Sequence, residues 1–173
     1  AANKKIAIIA HQKSSSLQEA LFNNAYGIPA GKLGSELLEE SKEHLAKMYP
    51  QVLQIENEKV IKIQEQSSHF TVVTTKNSYT TKIVVVGIGS ANTFAIEGLM
   101  HYVEPNRKSL PEKERIQLKN TDHKVAEGIY VIGTLAGWRS QLAIAAGSGA
   151  AVATDILTLW NNGVQTHSHD SIR

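Results

Sequence analysis

The hydrophobic pattern opens with a continuous apolar run, Ile6 to Ala10, which predicts a short buried strand. HQKSSS, from His11 to Ser16, predicts a loop, and FNNAYGIPAGKLG, Phe22 to Gly34, is irregular around the turn formers Gly27 and Pro29. From Ser35 to Met48 the apolar positions Leu37, Leu38, Leu45 and Met48 recur near helical spacing, with Ser35 as the expected N-cap and Pro50 as the stop. Val52 to Ile55, Lys59 to Glu65 and Phe70 to Thr75 alternate apolar with polar and predict a three-stranded antiparallel run. A turn at Asn77-Ser78 leads into a returning strand, Tyr79 to Val86, whose IVVV end reads as buried on both faces. Leu99 to Glu127 is mixed and broken by Pro105 and Pro111. Ile129 to Ile132 predicts a last buried strand, and Gln141 to Trp160 a last helix.

This order predicts an α/β fold with parallel strands and a β-meander in place of one crossover. One domain is expected over residues 1–160, with 161–173 as a flexible C-terminal tail. Composition supports a globular chain: 42% of residues are hydrophobic and 20% charged. The net charge of +2, with scattered Lys and Arg, argues against a nucleic-acid partner. No apolar run approaches the roughly 20 residues of a membrane span, so a cytoplasmic protein with no membrane partner is expected. There is no cysteine, which excludes disulfides, thiolate metal sites and Cys-pair redox chemistry within these residues.

Two glycine-bearing strand ends carry the candidate chemistry. In VVVGIGSAN, Val84 to Asn92, Gly87 and Gly89 form a G-x-G after a buried strand, but Asn92 stands where a dinucleotide fingerprint has its third glycine. A Rossmann NAD-binding domain beginning at Val84 is therefore the weaker alternative; the plainer one is a strand end that turns sharply. In GIYVIGTLAGWRSQLAIAAGSGAAVA, Gly133 ends a strand at the edge where open α/β sheets bind ligands. The helix that follows turns its free N–H groups toward that edge, suited to an anionic or carbonyl-rich group. Ala143, Ala145, Ala146, Gly147, Gly149, Ala150 and Ala151 would let a backbone or a flat ligand pack closely against it, or simply let it lie buried on a sheet.

That last segment resembles the C-terminal flavin-binding segment of thioredoxin reductases, which reads roughly G-I-Y-A-A-G-D, a loop, and Q-x-x-x-A-A-G-x-G-x-x-A. KKIAIIA is similar to the second strand of the family's FAD domain, AYGIPAGKLGSELLEESKEHLAKM to the loop and helix after it, and TTKIVVVGIGS to the strand ending in the family's Ala-Thr-Gly turn. The resemblance covers most of the chain in the same order. It implies a Rossmann-like FAD-binding domain with a central parallel sheet, an antiparallel meander and helices. It further implies that Gly133 and Thr134 lie beside the ribityl and pyrophosphate part of FAD, and that a helix beginning Gln141-Leu142-Ala143 aims its N–H groups at the pyrimidine edge of the flavin.

The departures from the family pattern shape the expected function. Thr134 replaces the acid of the Gly-Asp pair, Gly87 replaces the Thr of the Ala-Thr-Gly turn, and Ala10-His11-Gln12 stands where the ribose-binding acid is expected, leaving His11 to meet the nucleotide. The first strand with its G-x-G-x-x-G is expected upstream of Ala1. The 30 or so residues from Gly98 to Glu127 are too few for an NADPH domain, and the CxxC that belongs to that domain is missing with it. Two functions follow: an FAD-binding oxidoreductase-like protein fed by an external electron donor, or a non-catalytic interaction module that has kept the fold. A homodimer is implied by the relatives. Trp138 is a candidate neighbour of the flavin ring, a cover for the helix start or an interface residue, and Arg139 a candidate phosphate or carboxylate partner. His167 and His169, beside Asp170, read as tail residues and no metal site is expected; His69, His101 and His123 have no partner visible in the sequence.

Overall fold

The computed structural model describes residues 4–10 and 15–166. The chain forms two compact units, one holding residues up to 82 together with 95–101, the other holding 83–94 and the residues from 102 onward.

In the first unit, β1 (Ala7–Ala10), the hairpin strands β2 (Leu21–Phe22) and β3 (Lys32–Leu33), and helix α1 (Gly34–Met48) lead to β4 (Leu53–Glu56), β5 (Val60–Glu65), β6 (Phe70–Thr74) and β7 (Ser78–Thr81). β4 lies parallel to β1, with Ala7 opposite Leu53 and Ala10 opposite Glu56. This corrects the expectation that Val52 to Ile55 opens the antiparallel run. Alternation reports a half-buried strand but not the direction of its neighbour, and the intervening helix α1 is the kind of crossover that makes a pair parallel. The meander is instead β5-β6-β7. Its middle strand buries Phe70, Val72 and Thr74 on one face.

Helix α1 begins one residue earlier than expected. Leu33, not Ser35, holds the cap position, and the Glu36 carboxylate accepts the Leu33 N–H at 3.2 Å. Gly34 is buried because a Cβ there would lie 1.9 Å from the Leu17 carbonyl oxygen, closer than any packing allows. After leaving this unit the chain returns to it. Glu97 N–H donates to the Ile61 carbonyl at 2.9 Å and Ile63 N–H to the Glu97 carbonyl at 2.8 Å, so residues around Glu97 run along the edge of β5. Gly98 (φ +92°) makes this approach possible, since a Cβ would sit 1.9 Å from the Ile63 carbonyl oxygen.

One side chain in the meander had no sequence signal. Glu58 is only 6% exposed, and its carboxylate accepts the Thr74 hydroxyl at 2.6 Å, the Asn77 amide at 2.7 Å and the Tyr79 hydroxyl at 3.0 Å. The Thr74 hydrogen bond, joined by those of Asn77 and Tyr79 and by the charge of Lys76, outweighs desolvation and holds the carboxyl below the usual glutamate range. The cluster pins the β6–β7 turn.

The second unit holds β8 (Val84–Val86), β9 (Val103–Pro105), β10 (Ile116–Leu118), β11 (Lys124–Ala126), β12 (Ile129–Val131) and helix α2 (Leu142–Trp160). β9 and β10 form an antiparallel pair, and the second sheet has the order β11-β12-β8. The predicted single strand Tyr79 to Val86 is thus two, β7 and β8, separated at Lys82 and placed in different sheets. β12 runs parallel to β8, with Val131 opposite Val86, and antiparallel to β11. All three residues of β12 are buried, as a strand with neighbours on both sides requires. Residues 161–166 continue beyond α2, with Thr166 N–H donating to the Thr158 hydroxyl at 3.1 Å.

Helix α2 rests on the sheet through a narrow stripe: Val152 and Ile156 pack with Tyr130, Ile83 and Ile132, and Ser148 is buried on the same face. Val131, Leu135 and Val152 are at most 1% exposed, each contributing about 1.5–3 kcal/mol of burial. Ala143, Ala146, Gly147, Ala150, Ala151 and Ala153 are exposed, so the helix is not buried all round as its composition would allow. With 19 residues and a mean hydropathy of 1.6, α2 is long and apolar enough to cross a membrane by length and composition alone, which corrects the reading that no segment approaches that length. Asp155 and the interspersed Ser and Thr hide this from the eye, while the small residues keep the average high.

Candidate functional site

The site grows from the two parallel strand ends. Ile132 N–H donates to the Val86 carbonyl at 3.0 Å, carrying the β8–β12 ladder to the residue beside Gly87. A Cβ on Gly87 would meet Ile132 Cγ1 and Cδ1 at 2.8 and 2.9 Å, so close approach is what selects glycine there. Gly89 is selected differently, by its left-handed backbone at φ +80°. No helix follows β8: residues 87–99 are turns and irregular backbone. A dinucleotide fingerprint places its phosphates on the helix that follows the glycines, so the reading of a Rossmann NAD-binding domain starting at Val84 is set aside.

Gly133 turns the chain out of β12 with φ +66°. Its N–H donates to the Ser148 hydroxyl at 2.8 Å, and that hydroxyl donates to the Ala145 carbonyl at 2.8 Å. A Cβ on Gly133 would touch only Ala145, at 3.8 Å, so backbone conformation rather than crowding requires glycine. Thr134 follows in a 3₁₀ turn (Gly133–Ala136), and its carbonyl accepts the Asn106 amide at 3.0 Å and the Gly137 N–H at 3.1 Å. The backbone at Gly133-Thr134 is therefore held from three directions.

Gln141 caps α2 in extended backbone, with no side-chain hydrogen bond to the first turn. Its carbonyl accepts the Ala145 N–H at 2.9 Å. The N–H groups of Leu142, Ala143 and Ile144 precede the first intrahelical bond and stand as donors at the positive end of the helix dipole. Gln141 and Ala143 are exposed and Leu142 half-buried. The structure thus brings Gly87, Gly133 and Thr134 to one sheet edge and ties that edge to α2 through Ser148. His11 lies outside the described residues, as do His167 and His169.

The sequence reading missed the residues that fix this edge. Ser148 looked like one more small residue of the helix, and its hydroxyl is the only polar group on the buried stripe of Ser148, Val152 and Ile156. Asn106 sits in the polar stretch that showed no motif, yet it is buried. His123 does have a partner: its Nδ1 lies 2.9 Å from the Val131 carbonyl, and since a carbonyl only accepts, Nδ1 carries the proton. Its ring also faces Trp138 at 6.0 Å between centroids. Among the described residues no group of three or more His, Asp and Glu could hold a metal ion.

With its parallel strand pairs, an antiparallel meander and a glycine-ended strand leading to a helix, this chain shares its α/β fold with solved thioredoxin reductases. Among solved structures it is similar to a thioredoxin reductase from Gloeobacter violaceus, at 11% identity and a TM-score of 0.73, over 97% of this chain and 90% of that one. A ferredoxin-flavin thioredoxin reductase from Clostridium acetobutylicum is similar at 16% identity and a TM-score of 0.67, over 92% and 90% of the two chains. T. acidophilum thioredoxin reductase follows at 12% identity and a TM-score of 0.63, over 92% and 91%. No protein-family model matches the chain, and no curated protein sequence matches it.

Proposed function

We propose that this chain is a flavin-binding oxidoreductase-type module that takes FAD at the carboxyl edge of β8 and β12 and the start of α2. The observation that carries this reading is Gly133, a left-handed strand end whose N–H is tied to Ser148 of α2. The residues fit the flavin in part. The uncapped N–H groups of Leu142 and Ala143 suit the carbonyl-rich pyrimidine edge of the ring, and Gly133 leaves room beside the strand end for the ribityl chain. Thr134 offers one neutral hydroxyl where an acid is expected, so the hold on the ribityl chain is weaker than two charge-assisted bonds would give.

When bound, FAD would supply hydride and single-electron transfer. The chain's own residues bind the ring, orient it and place a positive helix end beside it, which favours a reduced, anionic flavin. With no cysteine of its own, the chain hands electrons to no internal disulfide in this reading. The residues from Gly98 to Glu127 are too few for an inserted NADPH domain, and in this reading the module receives electrons from another protein. The name of one neighbour, ferredoxin-flavin thioredoxin reductase, couples a flavin enzyme to a protein donor and supports that arrangement. A soluble, cytoplasmic homodimer belongs to the same reading.

The second reading, a non-catalytic interaction module, is favoured by Thr134 in place of the acid. A visible absorption spectrum of the purified protein, followed by FAD titration, separates the two. Flavin bands, or FAD uptake lost in Gly133→Trp and Ala143→Trp, support the flavin module. A colourless protein that takes up no FAD leaves the interaction module standing.

A further inference from the structure

Beyond the flavin edge, the 3₁₀ turn ends at Gly137, whose φ of +89° sends the chain over Gln117. That left-handed backbone favours glycine, and a Cβ there would also lie 2.7 Å from Gln117 Oε1, the end of a side chain. This turn closes one side of a shallow cavity of about 170 Å³, lined chiefly by Arg107, Lys108, Gln117, Asn120 and Trp138.

The acceptors around this cavity are used internally. Gln117 Oε1 accepts the Arg107 N–H at 3.0 Å, and Gln117 Nε2 donates to Glu104 at 2.7 Å. Asn120 Oδ1 accepts the His123 N–H at 3.2 Å, while Asn120 Nδ2 donates to the Leu118 and Ala136 carbonyls at 2.7 and 3.2 Å. Glu104 Oε1 is shared between Gln117 and Arg107 Nη2, the latter at 2.8 Å. What remains is cationic. Lys108 Nζ rests 4.4 Å from the centre of the Trp138 ring and meets no carboxylate among the described residues. Arg107 uses one guanidinium nitrogen on Glu104, and its side chain is otherwise 72% exposed. With the side-chain amide oxygens used by the protein and two cations at the rim, the lining complements an anion and repels a cation. At roughly 30 Å³ per water, the volume holds five or six waters' worth of ligand, too little for a drug-sized molecule and enough for an oxyanion.

We propose that this cavity binds a phosphate-type oxyanion, free or as a monoester, held by Lys108 and Arg107 beside the Trp138 ring. Its cationic lining, Arg107 and Lys108, is not among the residues assigned to the flavin edge, so the proposal does not depend on the flavin reading.

Trp138 reports on it directly. The chain has two tryptophans, so in a Trp160→Phe variant Trp138 is the sole emitter. Inorganic phosphate, titrated against chloride at constant ionic strength, is expected to change Trp138 emission saturably, with matching backbone amide shifts at residues 107, 108 and 138 in ¹⁵N-labelled wild-type protein. Lys108→Ala should weaken the apparent affinity by about tenfold or more, and Lys108→Glu should abolish the response while leaving the fold, read by circular dichroism, intact. The same titration with AMP distinguishes the source: tighter binding of AMP assigns a phosphate monoester, and equal or weaker binding assigns free phosphate. The proposal is overturned if both emission and amide shifts fail to saturate, or if Lys108→Ala titrates like the unmodified protein.

Discussion

The backbone N–H of Gly133 donates to the hydroxyl of Ser148, fifteen residues later and 2.8 Å away. One hydroxyl therefore joins the end of the last parallel strand to the second turn of the last helix, and so sets where the helix N-terminus lies relative to the sheet edge. Ser148 is buried, so nothing in solvent replaces it.

Ser148→Ala should accordingly destabilise the protein by about 0.5–1.5 kcal/mol, the net worth of the hydrogen bond lost to the half-buried Gly133 N–H. Urea unfolding with an unchanged slope is the measurement. A loss below about 0.5 kcal/mol would mean that water reaches the Gly133 N–H and that the tie does not position α2.

Gly98→Ala should be far more damaging than its small size suggests. The added Cβ meets a backbone oxygen at 1.9 Å, and the φ of +92° is itself strained for alanine. Neither can relax without pulling Glu97 off the edge of β5. A loss of more than about 3 kcal/mol is expected, whereas Gly27→Ala, where a Cβ meets nothing within 4 Å, should cost only its φ strain of about 1–2 kcal/mol. Thermal melts of the two variants side by side test the difference.

How much of this was legible in the sequence depends on whether a feature is local. The apolar run Ile129 to Ile132 marked β12, which lies buried between β11 and β8, whereas Ile6 to Ala10 marked the strand β1 but not its burial: among the described residues β1 pairs with β4 alone, and Ile6 and Ile8 are exposed. The α2 boundaries fell within a residue of the expected ones because Gln141 and Trp160 bound an uninterrupted stretch of helix-compatible residues. The direction of β4 was not legible, since its partner is β1, more than forty residues earlier. The break between β7 and β8 was hidden as well, because Tyr79 to Val86 carries strand-forming residues on both sides of Lys82. At the site, glycines could be read because their backbone roles are nearly unique to them. Ser148 and Asn106 could not, because a serine in an alanine-rich helix or an asparagine in a polar loop becomes functional only through the distant group it meets.

Glu58 gives the stability a defined pH dependence. Its carboxyl titrates below the ordinary glutamate range in the folded state, chiefly through the Thr74 hydrogen bond. The unfolded chain therefore binds this proton more readily than the folded one. The stabilisation is fully present above the unfolded glutamate pKa and is lost as pH falls through the lower, folded value. Unfolding followed between neutral pH and pH 2 should show a steeper acid loss in the wild-type protein than in Glu58→Gln. Thr74→Val, which removes a donor to a charged group, should cost about 1.5–3 kcal/mol at neutral pH. Equal acid profiles for wild type and Glu58→Gln would show that the cluster does not hold the charge.

Thr134→Asp is the variant that reads the flavin proposal most directly. The Thr134 backbone is already fixed by Asn106 and Gly137, so the substitution changes the side chain and leaves its position in place. Thr134 is half-buried at the sheet edge from which α2 starts, where a carboxylate meets the positive end of the helix. An acid there should leave stability unchanged or raise it by about 0.3–1 kcal/mol. If a ribityl chain lies beside this residue, the carboxylate also gains charge-assisted bonds to its hydroxyls, each worth roughly 1.5–3 kcal/mol, and FAD should bind about tenfold more tightly or better. Calorimetric titration of both proteins with FAD supplies the comparison. Tighter binding in Thr134→Asp identifies the residue's place along the cofactor, while a folded, equally stable variant that binds FAD no better than wild type removes Thr134 from the site and weakens the case for a flavin at this edge.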